Sequence, residues 1–308
     1  MAAPLLLIDS YSQIYRGYYA IRALTTAQGI PSNAVFAMTK LLMKLKEEYE
    51  GYEGAFVFDK GRPAQRMALA PAYKANRPPM PDDLRSQLEI IRDMIHAFGW
   101  NIIEWDGAEA DDLIAAAAAN FTDRKVLIVS SDKDISQVID ERVEMLVPDH
   151  DGKGFTRRGI EETIAKFGVK PSAIVDYLAL IGDSSDNIPG VEGVGPKTAA
   201  ALLNQFDSID DMLARVDEIK RESLREKIRA SAEVMRLNQK LILLDKTIPE
   251  GLALTEDSFR RNLPDYRKIT ELTSRMELKS ILRELEKQAP AVPVPPQETQ
   301  STQLEFNF

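Results

Sequence analysis

The patterning of this chain predicts an α/β fold, with a mostly parallel sheet flanked by helices and a smaller helical subdomain after it. Three observations carry that reading. Short apolar runs occur at residues 5–8, 55–58, 101–105, 126–129 and 143–147. Between them lie stretches whose apolar residues recur at helical steps, and strands that alternate with helices build a parallel sheet covered on both faces. From about Thr156 onward the strand-like runs stop, and only helical patterns continue.

Taken in order, the run 5–8 ends at Asp9, and a helix is predicted over 33–49 from Val35, Met38, Leu41, Leu42 and Leu45. The run 55–58 ends at Asp59, and Leu84, Leu88, Ile91, Ile95 and Phe98 predict one helix over 83–98. After the strand at 101–105, Glu109, Asp111 and Asp112 open an alanine-rich helix over 110–121. The strand at 126–129 leads into Asp132 and Asp134, and 143–147 is a further strand. Helices are predicted over 158–167, 172–181, 197–205, 208–215, 219–230, 232–244 and 265–288. Residues 289–302, rich in proline, glutamine, serine and threonine, read as a disordered linker. The division expected is a catalytic domain over 1–180 with a basic segment at 60–81, a helical subdomain over 181–288, and a linker and tail over 289–308.

The 308 residues contain no cysteine, which excludes a disulfide framework, a thiol nucleophile and cysteine-ligated zinc and fits a cytoplasmic protein. The run at 5–8 is cut short by Asp9 and has no basic flank, so neither a signal peptide nor a membrane span is expected. His96 and His150, the only histidines, lie beside an apolar stripe and in a polar turn, which argues against histidine general-base chemistry. The net charge of −9 conceals its distribution. Residues 60–81 contain no acid but carry Lys60, Arg62, Arg66, Lys74 and Arg77, a basic stretch suited to a polyanion.

The acids gather in five separated motifs: Asp9; Asp59; Glu109, Asp111 and Asp112; Asp132 and Asp134; Asp183 and Asp186. Any one alone reads as a helix cap or an acidic first turn. Together, most of them at strand ends and helix starts, they make a pocket that cannot stay ionised without cations. All-oxygen ligands favour Mg2+ or Mn2+ over zinc, and a metal-dependent phosphodiesterase is the best explanation.

Between two apolar helices, Gly190, Gly193 and Gly195 permit a tight turn, with Pro196 at the first helical position before Lys197 and Thr198. Amides at such a turn suit a phosphate, and its carbonyls can hold a monovalent cation, which favours a helix–hairpin–helix DNA-backbone binder over a plain glycine turn. Lys74 and Arg77 can stabilise charge on a phosphoryl transition state, and Tyr73 can stack on an unpaired base.

These motifs together resemble the bacterial 5′-nuclease family, the 5′–3′ exonuclease domain of DNA polymerase I and its flap-endonuclease relatives. YKANRPPMPDDL, EADDLIA, SSDKDISQ and GDSSDNIPGVEGVGPKTA follow in the family's order, over about residues 5–286. The resemblance implies a PIN-like α/β domain with a helix-3-turn-helix hairpin. It implies hydrolysis of a phosphodiester near a single-strand/duplex junction with a free 5′ end. By matching motif it places Asp9, Asp59, Glu109, Asp111, Asp112, Asp132, Asp134, Asp183 and Asp186 around two divalent ions. Lys74 and Arg77 then resemble transition-state stabilisers, Tyr73 a stacking residue and Arg16 a phosphate contact. Gly190, Gly193, Gly195, Lys197 and Thr198 resemble the hairpin that grips duplex DNA and a K+ ion. Some relatives have lost acids of the GDSSDN type; this sequence keeps both.

No polymerase region follows, so a stand-alone, monomeric nuclease of primer removal or repair is expected, acting in the nucleoid on DNA or on an RNA primer in a hybrid. Gln303, Leu304, Phe306 and Phe308 resemble short peptides that dock on the bacterial sliding clamp, a motif that arises easily by chance. Two rivals are a non-catalytic DNA-junction binding module, which has no need of so many carboxylates, and a PIN-type ribonuclease, which lacks the glycine hairpin.

Overall fold

The computed structural model describes residues 2–21, 23–149 and 154–288. Along the chain, β1 (Leu5–Asp9) leads into α1 (Ser10–Ala20), α2 (Asn33–Glu48) and β2 (Glu53–Val57). The helices α3 (Ala64–Leu69), α4 (Asp82–Arg85) and α5 (Leu88–Ala97) precede β3 (Asn101–Ile103). Then come α6 (Ala110–Asn120), β4 (Val126–Val129), β5 (Val143–Pro148) and β6 (Phe155–Arg158).

The six strands lie in the order β3-β2-β1-β4-β5-β6. All neighbours are parallel except β5 and β6, so the expected mostly parallel sheet is present. Side chains alternate across a strand, and here both faces are buried. Leu6, Ile8 and Phe56 pack with Val35, Leu42, Ile91 and Ile95 on one side. Leu5, Leu7, Ala55 and Val57 pack with Leu113, Ile114 and Ala117 on the other. The strand order reverses direction between β1 and β4, and beyond the carboxyl ends at such a switch point the sheet opens a crevice.

Helices α7 (Ile160–Phe167) and α8 (Ile174–Ile181) lead to a small hairpin of β7 (Gly182–Asp183) and β8 (Ile188–Pro189). The chain continues through α9 (Pro196–Gln205), α10 (Ile209–Ala214), α11 (Glu222–Ala230) and α12 (Ala232–Ile242) to α13 (Tyr266–Arg275) and α14 (Lys279–Gln288). Leu178, Leu202, Phe206, Ile228 and Met235 form a separate helical core. By contrast, Ile269, Leu272 and Ile281 return to the first sheet face.

Several boundaries differ from the sequence reading. The helix expected over 83–98 is two, α4 and α5, broken where the buried Gln87 turns its side chain to the start of α2. Its Oε1 accepts the N–H groups of Ala34 at 2.9 Å and Val35 at 3.2 Å, and its Nε2 donates to Asn33 Oδ1 at 2.9 Å. The single helix expected over 265–288 breaks at Glu277, whose φ of 53° is left-handed. The helix expected over 219–230 starts only at Glu222. Strand β6, the hairpin β7–β8 and helix α3 were not expected.

Candidate metal centre

The parallel register sets the first acids. Ile8 pairs with Val129, so the ends of β1 and β4 bring Asp9 beside Ser130, whose hydroxyl donates to Asp9 Oδ2 at 2.8 Å. Asp9 also caps α1, its Oδ1 accepting the N–H of Ser12 at 3.2 Å. Asp59 follows β2 and accepts the N–H of Ala110 at 2.9 Å, which anchors the start of α6. Glu109 is the N-cap of that helix, and Asp111 and Asp112 occupy its first turn, where the helix dipole favours negative charge. Asp132 accepts the N–H of Asp134 at 2.9 Å. Asp183, in β7, accepts the N–H of Ser185 at 2.9 Å and its hydroxyl at 2.5 Å.

Asp9, Asp59, Glu109, Asp111 and Asp132 line one cavity of about 580 Å³, together with Tyr73, Lys74 and Arg77. Carboxylate oxygens of Glu109, Asp111 and Asp112 lie within 4.8 Å of one another, as do those of Asp134, Asp183 and Asp186. The structure thus brings the nine predicted acids into two adjoining groups and a shared cavity wall.

Crowding shows in their acidity. Burial, then the charge of Asp59, pushes Asp9 up to about 7. Asp111 stands well above the carboxylate range through burial and repulsion from Asp112 and Glu109. Burial likewise raises Asp59, Asp132 and Asp134, the last also through Asp132 and Asp183. Asp183 differs: burial opposes its ionisation, but Ser185 and Lys133, 3.2 Å away, hold it below the usual range. Oxygen donors packed so closely fit hard divalent cations, which would relieve the repulsion.

Segment 60–81 closes over these acids. Lys74, with a left-handed φ of 55°, pairs with Glu109 and lies 3.6 Å from Asp186. Burial opposes its charge, yet Glu109 and Asp186 raise its pKa above the ordinary lysine value. Arg77 pairs with Asp186. Tyr73 does not present its ring as a base-stacking residue must. It is 5 % exposed, packed into the helical core, with its hydroxyl 3.2 Å from Asp186 and 3.3 Å from Glu109.

Arg66, read from the sequence only as part of a basic stretch, is buried and pairs with Glu109 at 2.5 Å and Asp112 at 2.6 Å. Its one sequence signal is being a cation in the acid-free segment that precedes the EADD motif. Lys133, between two of the acids in sequence, was missed as well.

Arg16, in α1, donates to the carbonyl of Asp149. Gly190, Gly193 and Gly195 lie on the β8–α9 connection and Lys197 and Thr198 in the first turn of α9, all outside the acidic cavity wall. Gly193 has a left-handed φ of 77°, and Pro196 opens α9 as expected. His96 is exposed on α5. His150, the linker and Gln303, Leu304, Phe306 and Phe308 fall outside the described residues. Among the described residues no helix is long and apolar enough to cross a membrane.

Residues 4–168 match the family model for the N-terminal resolvase-like domain of 5′-3′ exonucleases, and residues 169–267 that for their C-terminal SAM fold. A 5′-3′ exonuclease of Aquifex aeolicus is 36% identical over 92% of this chain and 95% of its own length. The thermostable DNA polymerase I of Thermus caldophilus is 37% identical over 95% of this chain but only 35% of its own length. The chain therefore spans about a third of such polymerases. Among solved structures, the bacteriophage T5 D15 flap endonuclease in a pseudo-enzyme-product complex with DNA and metal ions superposes with a TM-score of 0.64. It is 17% identical, with 92% of this chain and 98% of that one covered. The catalytic core of Rad2 with DNA substrate gives a TM-score of 0.58 at 17% identity over 92% of each chain. At such identities the two structures establish a shared fold.

Proposed function

The chain belongs to the 5′-3′ exonuclease family, and we propose that it hydrolyses DNA phosphodiesters near a free 5′ end, both exonucleolytically and at 5′ flaps, with Mg2+ or Mn2+. The observation that carries this is the convergence of carboxylates at the sheet's switch point beneath a segment bearing Lys74 and Arg77. When bound, divalent ions would supply charge neutralisation and Lewis-acid activation there. Asp9, Asp59, Glu109, Asp111, Asp112, Asp132, Asp134, Asp183 and Asp186 would hold them.

The chain's own groups do the rest. Ser130 and Ser12 orient Asp9, and the amide of Ala110 orients Asp59. Lys74 and Arg77 face the cavity on flexible stems, so an incoming phosphate can take them from Glu109 and Asp186 and be stabilised as its charge develops. The division of labour follows the packing: the sheet domain, joined by Asp183 and Asp186, cuts, and the helical core from α8 through α12 grips the duplex. The β8–α9 turn, with Lys197 and Thr198, would hold backbone phosphate, its carbonyls suiting K+. Arg16 would steady the strand near Asp9. DNA in primer removal or repair, including RNA primers in hybrids, is the substrate class. The tail bearing Gln303, Leu304, Phe306 and Phe308 would tether a monomeric enzyme to a sliding clamp.

The test is a 5′-labelled flap duplex incubated with Mg2+ or with EDTA. Short 5′ products that need Mg2+ support the reading; binding without cleavage in Mg2+ or Mn2+ overturns it. Deleting residues 289–308 should spare cleavage of short linear flaps and abolish pull-down of the clamp.

A further inference from the structure

The geometry points to Arg66 and Asp112 as a fixed clamp that positions Glu109, with Asp112 serving the clamp rather than holding metal. This rests on the metal-centre reading above and revises its ligand set.

A guanidinium has five N–H donors, and Arg66 uses all of them. Nε donates to the carbonyl of Leu241 at 2.8 Å. One terminal nitrogen, Nη1, reaches Glu109 Oε2 at 2.5 Å and Asp112 Oδ2 at 2.6 Å. The other, Nη2, reaches Asp112 Oδ1 at 2.8 Å and the carbonyl of Leu243 at 3.0 Å. The side chain is 8% exposed, against 50% for Arg77. It joins α3, the start of α6 and the carbonyl end of α12, three elements remote in sequence, and has no donor to spare.

Asp112 is equally committed. Both its oxygens take Arg66 in the bidentate geometry that gives the strongest pairing, and Oδ1 also accepts the N–H of Asp245 at 2.8 Å. The cavities separate the neighbours. Asp111 lines the acidic cavity with Asp9, Asp59 and Glu109. Asp112 instead lines a second cavity of about 980 Å³ behind α3, with Trp105, Leu243 and Lys246. Proximity of three carboxylates thus does not make three ligands. Asp111 faces the acids, and Asp112 faces Arg66. Glu109 stands between, sharing Arg66 on one oxygen and Lys74 on the other. The fixed cation sets its rotamer, leaving the lysine side open to exchange.

The clamp gives opposite signs to neighbouring substitutions in the metal-free protein. Asp111→Asn removes one member of a self-repelling group and should raise the melting temperature of the full chain in EDTA. Asp112→Asn leaves a buried arginine without its bidentate partner and should lower it. In Mn2+ calorimetry, Asp111→Asn should lose at least tenfold more affinity than Asp112→Asn, the order of effect of disturbing a metal shell. The proposal is overturned if Asp112→Asn raises the melting temperature in EDTA, or weakens Mn2+ binding as much as Asp111→Asn does. None of these readouts requires nuclease activity, so they stand apart from the function proposed above.

If Asp112→Asn cannot be obtained folded, Arg66→Lys carries the test. It keeps the charge but offers three donors in place of five. Its kcat should fall about tenfold while KM for the flap stays within about twofold, because Glu109 is misplaced and the DNA surface is not. Full kcat in Arg66→Lys would show that no positioning role exists.

Discussion

Lys74 is bound to Asp186 twice: its backbone N–H donates to the Asp186 carbonyl at 3.0 Å, and its ammonium lies 3.6 Å from the Asp186 carboxylate. The same turn receives Asn76 Nδ2 at the carbonyl of Ser184, 2.6 Å, and Arg77 Nε at that of Ser185, 3.3 Å. Asn187 returns a hydrogen bond to the carbonyl of Ala72 at 2.8 Å. Segment 60–81 is thereby sewn to the β7–β8 hairpin, and cations of the protein neutralise acids that would hold metal.

That competition separates binding from turnover. Lys74→Ala removes a cation from Glu109 and Asp186, so Mn2+ affinity by calorimetry should tighten several-fold. Turnover should nonetheless fall about 10²- to 10³-fold, the usual effect of deleting one group aimed at developing charge. Weakened Mn2+ binding together with unchanged kcat would contradict both halves.

Metal-free stability should fall as pH rises. The native Asp9 keeps its proton up to about 7, whereas an unfolded aspartate releases it near 3.8. Between these values the native state binds more protons, so each step upward in pH costs stability. For Asp9 alone, the displacement from 3.8 to about 7 corresponds to about 4 kcal/mol against the ionised form. Asp59, Asp111, Asp132 and Asp134 act in the same direction. In EDTA the melting temperature should therefore be higher at pH 5.5 than at pH 8, and saturating Mg2+ should remove most of the difference. A melting temperature that climbs with pH in EDTA would rule out this crowding.

The parallel sheet and its acids were legible because both are local signals: an apolar run, and a carboxylate where it stops. Strand β1 and Asp9 needed nothing more. Arg66 was not legible, because its burial depends on the carbonyls of Leu241 and Leu243, which no pattern near position 66 announces. Tyr73 misled for the same reason: it looks exposed in a polar, proline-bounded stretch, but its ring belongs to the helical core. Strand β6 was invisible because an antiparallel edge strand reading FTRR carries little apolar signal.

Gln87 explains a broken helix and makes a stability prediction. It is fully buried, and its Oε1 serves two amides in the first turn of α2, which have no intrahelical acceptor. Gln87→Leu keeps the volume but leaves them unsatisfied, at roughly 1–3 kcal/mol for each stranded group. Urea unfolding should show a loss of about 2–4 kcal/mol. A loss below about 0.5 kcal/mol would mean that water or another group replaces the side chain.

Two glycines of the β8–α9 turn should part company. A Cβ on Gly190 would sit 2.3 Å from the carbonyl oxygen of Ile181 and 2.8 Å from the nitrogen of Gly182, so backbone must move. Gly190→Ala should cost about 3 kcal/mol, as overpacking against a rigid neighbour does. Gly195 caps α9 with a φ of −98°, and a Cβ there meets nothing within 4 Å. Gly195→Ala should therefore stay within about 1 kcal/mol of wild type. If a DNA phosphate rests on the first-turn amides of α9, however, the added methyl stands in its approach. Affinity for a nicked duplex, measured by anisotropy in EDTA, should then fall about tenfold, or roughly 1.4 kcal/mol. Unchanged affinity in a Gly195→Ala protein of unchanged stability would move the duplex contact away from this turn. Loss of affinity in Gly190→Ala alone would report only a misfolded hairpin, so the comparison of the two glycines carries the result.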